Sequence, residues 1–572
     1  MRFSILSALG LCASAAAASV DSYISSEGPA AKQGLLANIG PDGAKAKAAG
    51  AKAGVVIASP NTDNPNYLYS WVRDASLVAK VLIDQYTEGV DDSLRDLIDD
   101  YVSAEATFQQ LDNPSGSVSS GGLGEPKFYI NLTAFEGPWG RPQRDGPALR
   151  STALITYANW LLDNNNSSFV SKTLWPIIKL DLDYVHDKWN STSFDLWEEI
   201  ESHSFWTTAV QHRSLREGAA LASKISESSS GYSSEADNVL CYLQSYWNAT
   251  GSYIVSNTGG GRSGIDANSA LASIYTFDPE AGCDAVTFQP CSDVALASLK
   301  TYVDSFRSLY PINDGIDDNA AVATGRYPED VYQNGNPWYL TTAAVAEQLY
   351  DALTVWSGQG SFSVTPVSLP FFQQFSDTIS TGSYDSSSST YKNVTGAVKD
   401  FADGFLEINA KYTPSDGGLA EQYGKSDGKP LSAVDLTWSY ASALTAFAAR
   451  NGTKPASWGA KGLSVASSCG TKAGSTVSVT FNVNATTNEG EHVYVAGSGG
   501  DLKSWSPDNA LKLSAADYPK WSIKVDVPAS ATIQYKYLKK SDSGNVNWEA
   551  DPNRSIDTPA SSSTSTADSW QS

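Results

Sequence analysis

The sequence predicts two unlike domains in one chain, a large all-α domain of helical hairpins and then a small antiparallel β-sandwich. Three observations predict it. Apolar residues recur every three or four positions in many segments up to Arg450, as on one face of a helix. After Val477 the period drops to two, as in half-buried strands. Between the patterns, residues 459–476 are small and polar and read as a short linker. A length of 572 residues is enough for more than one core.

Residues 1–18 read as a secretory signal peptide: Arg2, an apolar run to Leu11, then a small-residue cleavage region. The run is too short to stay in a bilayer, and no later stretch is long and apolar enough, so a soluble, secreted product is expected. Residues 19–458 form the expected helical domain. Helical periodicity covers Ala75–Tyr86, Leu94–Leu111, Ala148–Leu162, Phe169–Trp189, Ala209–Ile225, Val294–Leu309, Ala343–Trp356, Val394–Tyr412 and Leu436–Arg450. In the fourth of these, Leu174, Ile177, Ile178, Leu182 and Val185 mark the apolar stripe. The loops between are long, and such loops carry function. In residues 477–572, Val477, Val479, Phe481 and Val483 alternate with polar residues, as do Ile523, Val525 and Val527, and Ile533–Leu538 is a further strand. Turn signals fall at Asn488-Glu489-Gly490, Gly499-Gly500-Asp501 and Ser506-Pro507-Asp508. The last residues, Ser561–Ser572, read as a frayed end.

The balance of 62 acidic against 39 basic residues, net −23, argues against nucleic acid and anionic membranes as partners. A neutral sugar is compatible. The 16 Trp and 28 Tyr supply rings that stack on sugar faces as well as filling cores. Beyond Cys12, four cysteines suit disulfides: Cys283 and Cys291 close a local loop, and Cys241 and Cys469 pair by default. His186, His203, His212 and His492 do not cluster near them, so no metal is expected. Gly259-Gly260-Gly261 lacks the context of a phosphate loop, and no redox cofactor has support. Glycosylation acceptors fit a secretory route: Asn131, Asn165, Asn166, Asn190, Asn248, Asn393, Asn451, Asn484 and Asn553.

The run Asp195-Leu196-Trp197-Glu198-Glu199 sets two carboxylates beside an indole. Lost hydration raises a carboxyl's pKa, and glycosidic hydrolysis needs such an acid plus a second carboxylate. Alone, the run reads more readily as a solvated helix end. Other loops carry related residues: Tyr67 leads to Trp71-Val72-Arg73-Asp74, and Trp139-Gly140-Arg141-Pro142-Gln143-Arg144-Asp145 follows. Gly325-Arg326-Tyr327-Pro328-Glu329-Asp330 continues through Tyr332 to Trp338, and Gly417-Gly418-Leu419-Ala420-Glu421 precedes the helix with Trp438. Arg73 beside Asp74 reads as a fixed charged pair that bonds sugar hydroxyls, or as a helix-end pair.

In this order the motifs closely resemble the fungal glucoamylases, glycoside hydrolase family 15. These secreted exo-acting enzymes remove glucose from the non-reducing ends of starch and maltooligosaccharides. The resemblance implies an (α/α)6 barrel with its site in the loops at one end, no cofactor, and a monomer. It implies Glu198 as general acid and Glu421 as general base activating water, with inversion to β-glucose at α-1,4 and more slowly α-1,6 bonds. Arg73, Asp74, Arg326 and Glu199 match positions that hold the terminal glucose. Tyr67, Trp71, Trp139, Leu196, Trp197, Trp338 and Trp438 match walls and contacts, with Asp195 and Asp330 in support. The tail resembles a starch-binding domain of carbohydrate-binding module family 20. Trp505, Lys536 and Trp548 match one sugar surface, and Tyr518 matches half of a second whose other half, usually Tyr, is Glu489 here. Two other readings stand beside this one: a glucan-binding protein without catalysis, and a same-barrel hydrolase of another α-glucoside such as dextran or trehalose.

Overall fold

The computed structural model describes residues 6–229, 231–465, 476–497, 500–507, 509–528, 532–542, 544–559 and 562–571. Two compact units divide the chain: residues 1–199, 204–256 and 262–465 form the larger, and residues 200–203, 257–261 and 466–572 the smaller.

Among the described residues the larger unit holds twelve helices of eight residues or more. In chain order they are α1 (Leu6–Ala37, with side chains described from Val20), α2 (Val72–Thr87), α3 (Arg95–Gln109), α4 (Asp145–Asp163), α5 (Trp175–Lys188) and α6 (Phe205–Lys224). Then come α7 (Tyr232–Leu243), α8 (Asn268–Tyr275), α9 (Asp293–Asp304), α10 (Tyr339–Gln359), α11 (Ser389–Tyr412) and α12 (Thr437–Arg450). The even-numbered helices pack side by side in a closed ring, with α12 back against α2. The odd-numbered ones lie outside, each against a ring helix, and α1 packs on α11 and α12. Six helical hairpins thus make an (α/α)6 barrel.

Each helical segment expected from periodicity overlaps an observed helix, although Val294–Leu309 stops at Asp304, Leu94–Leu111 stops at Gln109, and Phe169–Trp189 opens with a π-turn over Val170–Leu174. Periodicity missed α1, α7 and α8. Helix α8 belongs to the ring, and Asn268 to Ser273 are buried without interruption, so no polar face marks a stripe. Helix α7 follows a serine-rich stretch that reads as loop, and α1 is rich in Ala, Ser and Gly. Two short antiparallel pairs brace the loops: β1 (Ser70–Trp71) with β2 (Lys127–Tyr129), and β3 (Gln422–Tyr423) with β4 (Pro430–Leu431).

The linker begins later than Gly459. Asp278, fully buried, accepts backbone N–H bonds from Trp458, Gly459 and Ala460 at 3.2, 3.1 and 2.8 Å and a hydroxyl bond from Ser457 at 2.9 Å. A carboxylate with four donors is a strong local anchor, so the chain stays with the helical unit to Val465. Residues 466–475, including Cys469, lie outside the described residues. Cys283 and Cys291 are bonded, with Cα atoms 4.8 Å apart. Cys241 is also disulfide-bonded.

The tail is a sandwich of two sheets. One runs β8 (Ser514–Asp517), β9 (Lys520–Pro528), β5 (Thr476–Asn484) and β13 (Thr564–Ser565), with β14 (Asp568–Ser569) also on β5. The other runs β7 (Leu511–Lys512), β6 (Glu491–Gly497), β10 (Thr532–Ser541) and β11 (Val546–Trp548), with β12 (Arg554–Asp557) also on β10. Val479, Phe481, Val483, Val493, Val495 and Tyr537 fill the space between. Among residues 562–571 the expected frayed end is paired instead: β13 and β14 pair with β5 in parallel, and the Trp570 backbone N–H donates to the Asn484 carbonyl at 3.0 Å. The turn residues Gly499 and Asp508 lie outside the described residues.

Candidate active site

Contacts among their first residues bring the starts of the six ring helices to one end of the barrel. Arg73 and Asp74 lie in the first turn of α2, and Trp71 is its N-cap. Asp145 opens α4, Trp206 opens α6, and Asp266 accepts the Asn268 N–H at the start of α8 at 2.8 Å. Trp338 is the N-cap of α10, and Trp438 lies in the first turn of α12. Helix N-termini present free N–H groups and positive dipole ends, which favour carboxylates there.

Arg73 is not a pair with Asp74. It is buried and donates Nη1 to Asp145 Oδ2 at 2.9 Å and both Nη atoms to Gln143 Oε1 at 3.0 and 2.8 Å. Trp206 Nε1 donates to the same Asp145 oxygen at 2.9 Å. Gln143 then turns its amide to Glu198, donating Nε2 to Oε1 at 2.9 Å. Trp71 Nε1 donates to Oε1 at 2.7 Å and Trp139 Nε1 to Oε2 at 2.9 Å. The Glu198 side chain is 19% exposed, and its φ of +65° is a left-handed conformation that a non-glycine residue adopts at a cost. Asp195 fixes that turn: its carbonyl accepts the Glu198 N–H and its Oδ1 the Glu199 N–H, both at 2.9 Å.

Glu199 faces the other way. Its oxygens accept from Arg326 Nη2 at 2.9 Å, from Arg262 and from the Tyr327 hydroxyl. Burial pushes this carboxyl up, but Arg326, Tyr327 and Arg262 outweigh it and hold it below its ordinary value. Asp330 fixes the same guanidinium through Nε at 2.8 Å and Nη2 at 2.6 Å. Trp197 is buried, donates to both Asp266 oxygens at 3.0 and 3.1 Å, and has Trp338 at 5.6 Å and Trp438 at 6.5 Å between ring centres. Leu196 is buried in the same core.

Glu421 is 1% exposed and precedes β3. The Ser432 hydroxyl and Gln422 Nε2, the latter at 3.0 Å, donate to its Oε2. Burial pushes it up to about 7, against the pull of Ser432, Tyr67, Arg326 and Gln422. The indoles of Trp71 and Trp139 act on Glu198 as hydrogen-bond donors. Tyr67 spans the two glutamates: it feels the charge of both, shares a 3.0 Å hydroxyl contact with Tyr332, and lies edge-on to Trp71 at 5.2 Å. Burial also raises Asp74 to about 7, opposed by Arg73 and reinforced by Glu198 and Asp145. Burial brings Asp266 to about 8, opposed by Trp197 and Asn268.

The sequence reading missed Lys127, Asp145, Arg262, Asp266 and Ser432 as site residues. Lys127 is the plainest case. Strand pairing sets it opposite Trp71, and it is 2% exposed. Its ammonium lies 3.2 Å from the Trp139 ring centre, 4.2 from Phe135, 4.3 from Tyr69 and 4.7 from Trp71. Burial pushes it down to about 8, and Glu198 opposes that. The aromatic excess was the signal, but four rings around one cation cannot be read from spacing.

A profile described as "Glycosyl hydrolases family 15" matches residues 29–448. The chain belongs to that family. Glucoamylase activity on starch follows from that membership and from the family enzymes this chain is similar to. Glucoamylase-1 of Schizophyllum commune (strain H4-8 / FGSC 9210) is 59% identical over 574 residues, covering 99% of each chain. A glucoamylase of Neurospora crassa is 47% identical over 97% of this chain and 94% of its own. The solved family 15 glucoamylase of Hypocrea jecorina is 48% identical with a TM-score of 0.76, covering 97% of this chain and 100% of that one. A second profile, "Starch binding domain", matches residues 476–568.

On the tail of this family 15 enzyme, Trp548 pairs with Leu538 across β11 and β10, and Lys536 lies two residues before Leu538 on the same face. Lys536 is ion-paired with Asp551. Trp505 closes the turn Gly500–Trp505 and is half-buried. Tyr518 is exposed, and its hydroxyl accepts the Thr487 N–H at 3.4 Å near the exposed Glu489. The sequon residues Asn131, Asn165, Asn190, Asn393, Asn451, Asn484 and Asn553 are exposed, and Asn166 and Asn248 are half-buried. Among the described residues, no helix is long and apolar enough to cross a membrane.

Proposed function

We propose that the enzyme hydrolyses starch and maltooligosaccharides from non-reducing ends with inversion, Glu198 protonating the glycosidic oxygen and Glu421 activating water. The carrying observation is the contrast between two carboxylates in one aromatic-walled site. Glu421 lies at the buried floor, held by Ser432 and Gln422. Glu198 lies nearer the opening, under Trp139, which is 36% exposed. In an exo-acting pocket the leaving chain points out to solvent and the terminal ring sits deepest. The group that protonates the leaving oxygen must then be the outer one, and the group that holds water on the far face the inner one. A base with raised proton affinity is also the stronger base once ionised.

Within this reading Arg73, Asp74, Arg326 and Glu199 supply hydroxyl-binding groups around the terminal glucose. Tyr67, Trp71, Trp139, Trp197, Trp338 and Trp438 supply ring faces, with Leu196 as a backbone contact. The tail holds the enzyme on granules through Trp505, Lys536 and Trp548. Export follows cleavage of residues 1–18, with glycans on exposed sequons, and the enzyme works as a monomer. Proton magnetic resonance of the first glucose released from maltoheptaose tests the mechanism. Initial β-glucose is expected, and initial α-glucose would overturn inversion. Glu198→Gln should lower kcat by about 10²–10⁴-fold while soluble glucan still binds, and near-native turnover would overturn its role.

A further inference from the structure

A cavity of about 190 Å³ lies inside the helix ring, away from the catalytic carboxylates. Trp206 and Trp438, at the starts of α6 and α12, form its inner wall, and Glu88, Thr453 and Pro455, beyond the far ends of α2 and α12, form its rim. Its sides are apolar and aromatic, with Leu77, Val81, Leu271 and Tyr275 among them. Into this surface α10 places two carboxyls one helical turn apart, Glu347 and Asp351.

The charges around them do not balance. Lys80, on α2, is taken by Asp84 at 2.5 and 2.6 Å. Arg213, on α6, is taken by Glu217 at 2.9 Å and by the Tyr275 carbonyl. Glu347 accepts one hydrogen bond, from Thr445 on α12 at 2.5 Å. Asp351 is 4% exposed, faces the cavity and has no hydrogen-bond partner among the described residues. A buried carboxyl in that state is costly unless paired. Burial accordingly pushes Glu347 up to about 7, and pushes Asp351 well above its ordinary value, with Glu347 adding to it.

We propose that this cavity is a binding site for a small organic ammonium ion with an apolar body. The ammonium would sit between Glu347 and Asp351, and the body would lie against Trp206, Tyr275 and the leucines. A bare metal ion does not fit the chemistry, since it needs a shell of oxygen ligands and these walls are mostly carbon. The volume is comparable to the ~150 Å³ apolar cavities that take up benzene. Trp206 also donates to Asp145, which holds Arg73, and Trp438 also flanks Trp197. An occupant therefore touches the back of two walls of the active site.

The test is calorimetric titration of the full chain with benzylammonium at pH 7.5, with saturating glucose to fill the catalytic pocket. One site is expected, with protons released on binding, seen as a dependence of the heat on buffer ionisation. Asp351→Asn should weaken binding about tenfold with kcat/KM on maltose retained. Neutral benzyl alcohol should bind at least as weakly as benzylammonium does to that variant. A crystal soaked with 4-bromobenzylammonium checks the wild-type protein directly, with anomalous bromine signal expected beside Tyr275. Absence of binding, binding abolished by glucose, equal binding of the alcohol, or bromine only beside Glu198 would each overturn the proposal.

Discussion

Lys127 shows how Glu198, the proposed acid, is held. Its ammonium touches the rings of Trp71 and Trp139, and those two indoles donate to the two Glu198 oxygens. A buried cation–π contact is worth about 2 kcal/mol. Lys127→Met keeps the bulk and loses the charge, so kcat should fall about tenfold with KM little changed and the circular dichroism spectrum intact. An unchanged kcat would remove Lys127 from the machinery. Ser432 has the matching role at Glu421, the proposed base. Its hydroxyl bond favours ionised Glu421, which the proposed mechanism requires. Ser432→Ala should therefore raise the Glu421 value further and move the acid limb of kcat/KM upward by about half a pH unit; a downward move would contradict the assignment. Glu198, Glu421, Arg326 and the tryptophans were legible through the family resemblance of their motifs, since the run around Glu198 alone reads as a solvated helix end. Gln143 stood within such a motif, yet its bridge from Arg73 to Glu198 links chain segments far apart in sequence.

Helices with one wet face were legible, as α5 and α11 show, because burial on one side leaves a stripe. Helix α8 was not, since a helix enclosed on all sides has no contrast to read. The closing strands β13 and β14 were hidden for another reason: they are two residues each, in a Ser/Thr-rich stretch, and exist only because β5 offers an open edge. Asp278 likewise holds Trp458 to Ala460 from about 180 residues away. The tail carries its own core, so a chain ending at Val465 should keep its kcat/KM on maltotriose and lose most adsorption to raw starch granules. Equal losses on both substrates would show that the tail serves the site itself.

Over the whole molecule, burial has raised many carboxyls together. Glu27, Asp74, Glu347 and Glu421 are pushed up to about 7 and Asp266 to about 8. In the unfolded chain they ionise near 3.8 or 4.5. Between those limits the fold binds more protons than the unfolded chain, so stability falls as pH rises. Glu199 and Asp403, held below their ordinary values, act the other way only at the acid edge. His212, pushed down to about 3 by burial, opposes this up to about pH 6.5, one group against five. Calorimetry should find Tm lower at pH 7 than at pH 4.5 and still falling through pH 8, where Asp266 titrates; a rise from pH 4.5 to 8 would contradict this. The closed ring bears on synthesis as well. Helix α1 buries Val20, Ala31 and Leu35 in the shared core and packs on α11 and α12, yet α12 is translated about 400 residues after α1 ends. At about 5–20 residues per second, α1 waits roughly 20–80 seconds for its partners. Throughout that interval an apolar face stands without its partners, so the barrel's first helix stays unpacked until its last one has been made.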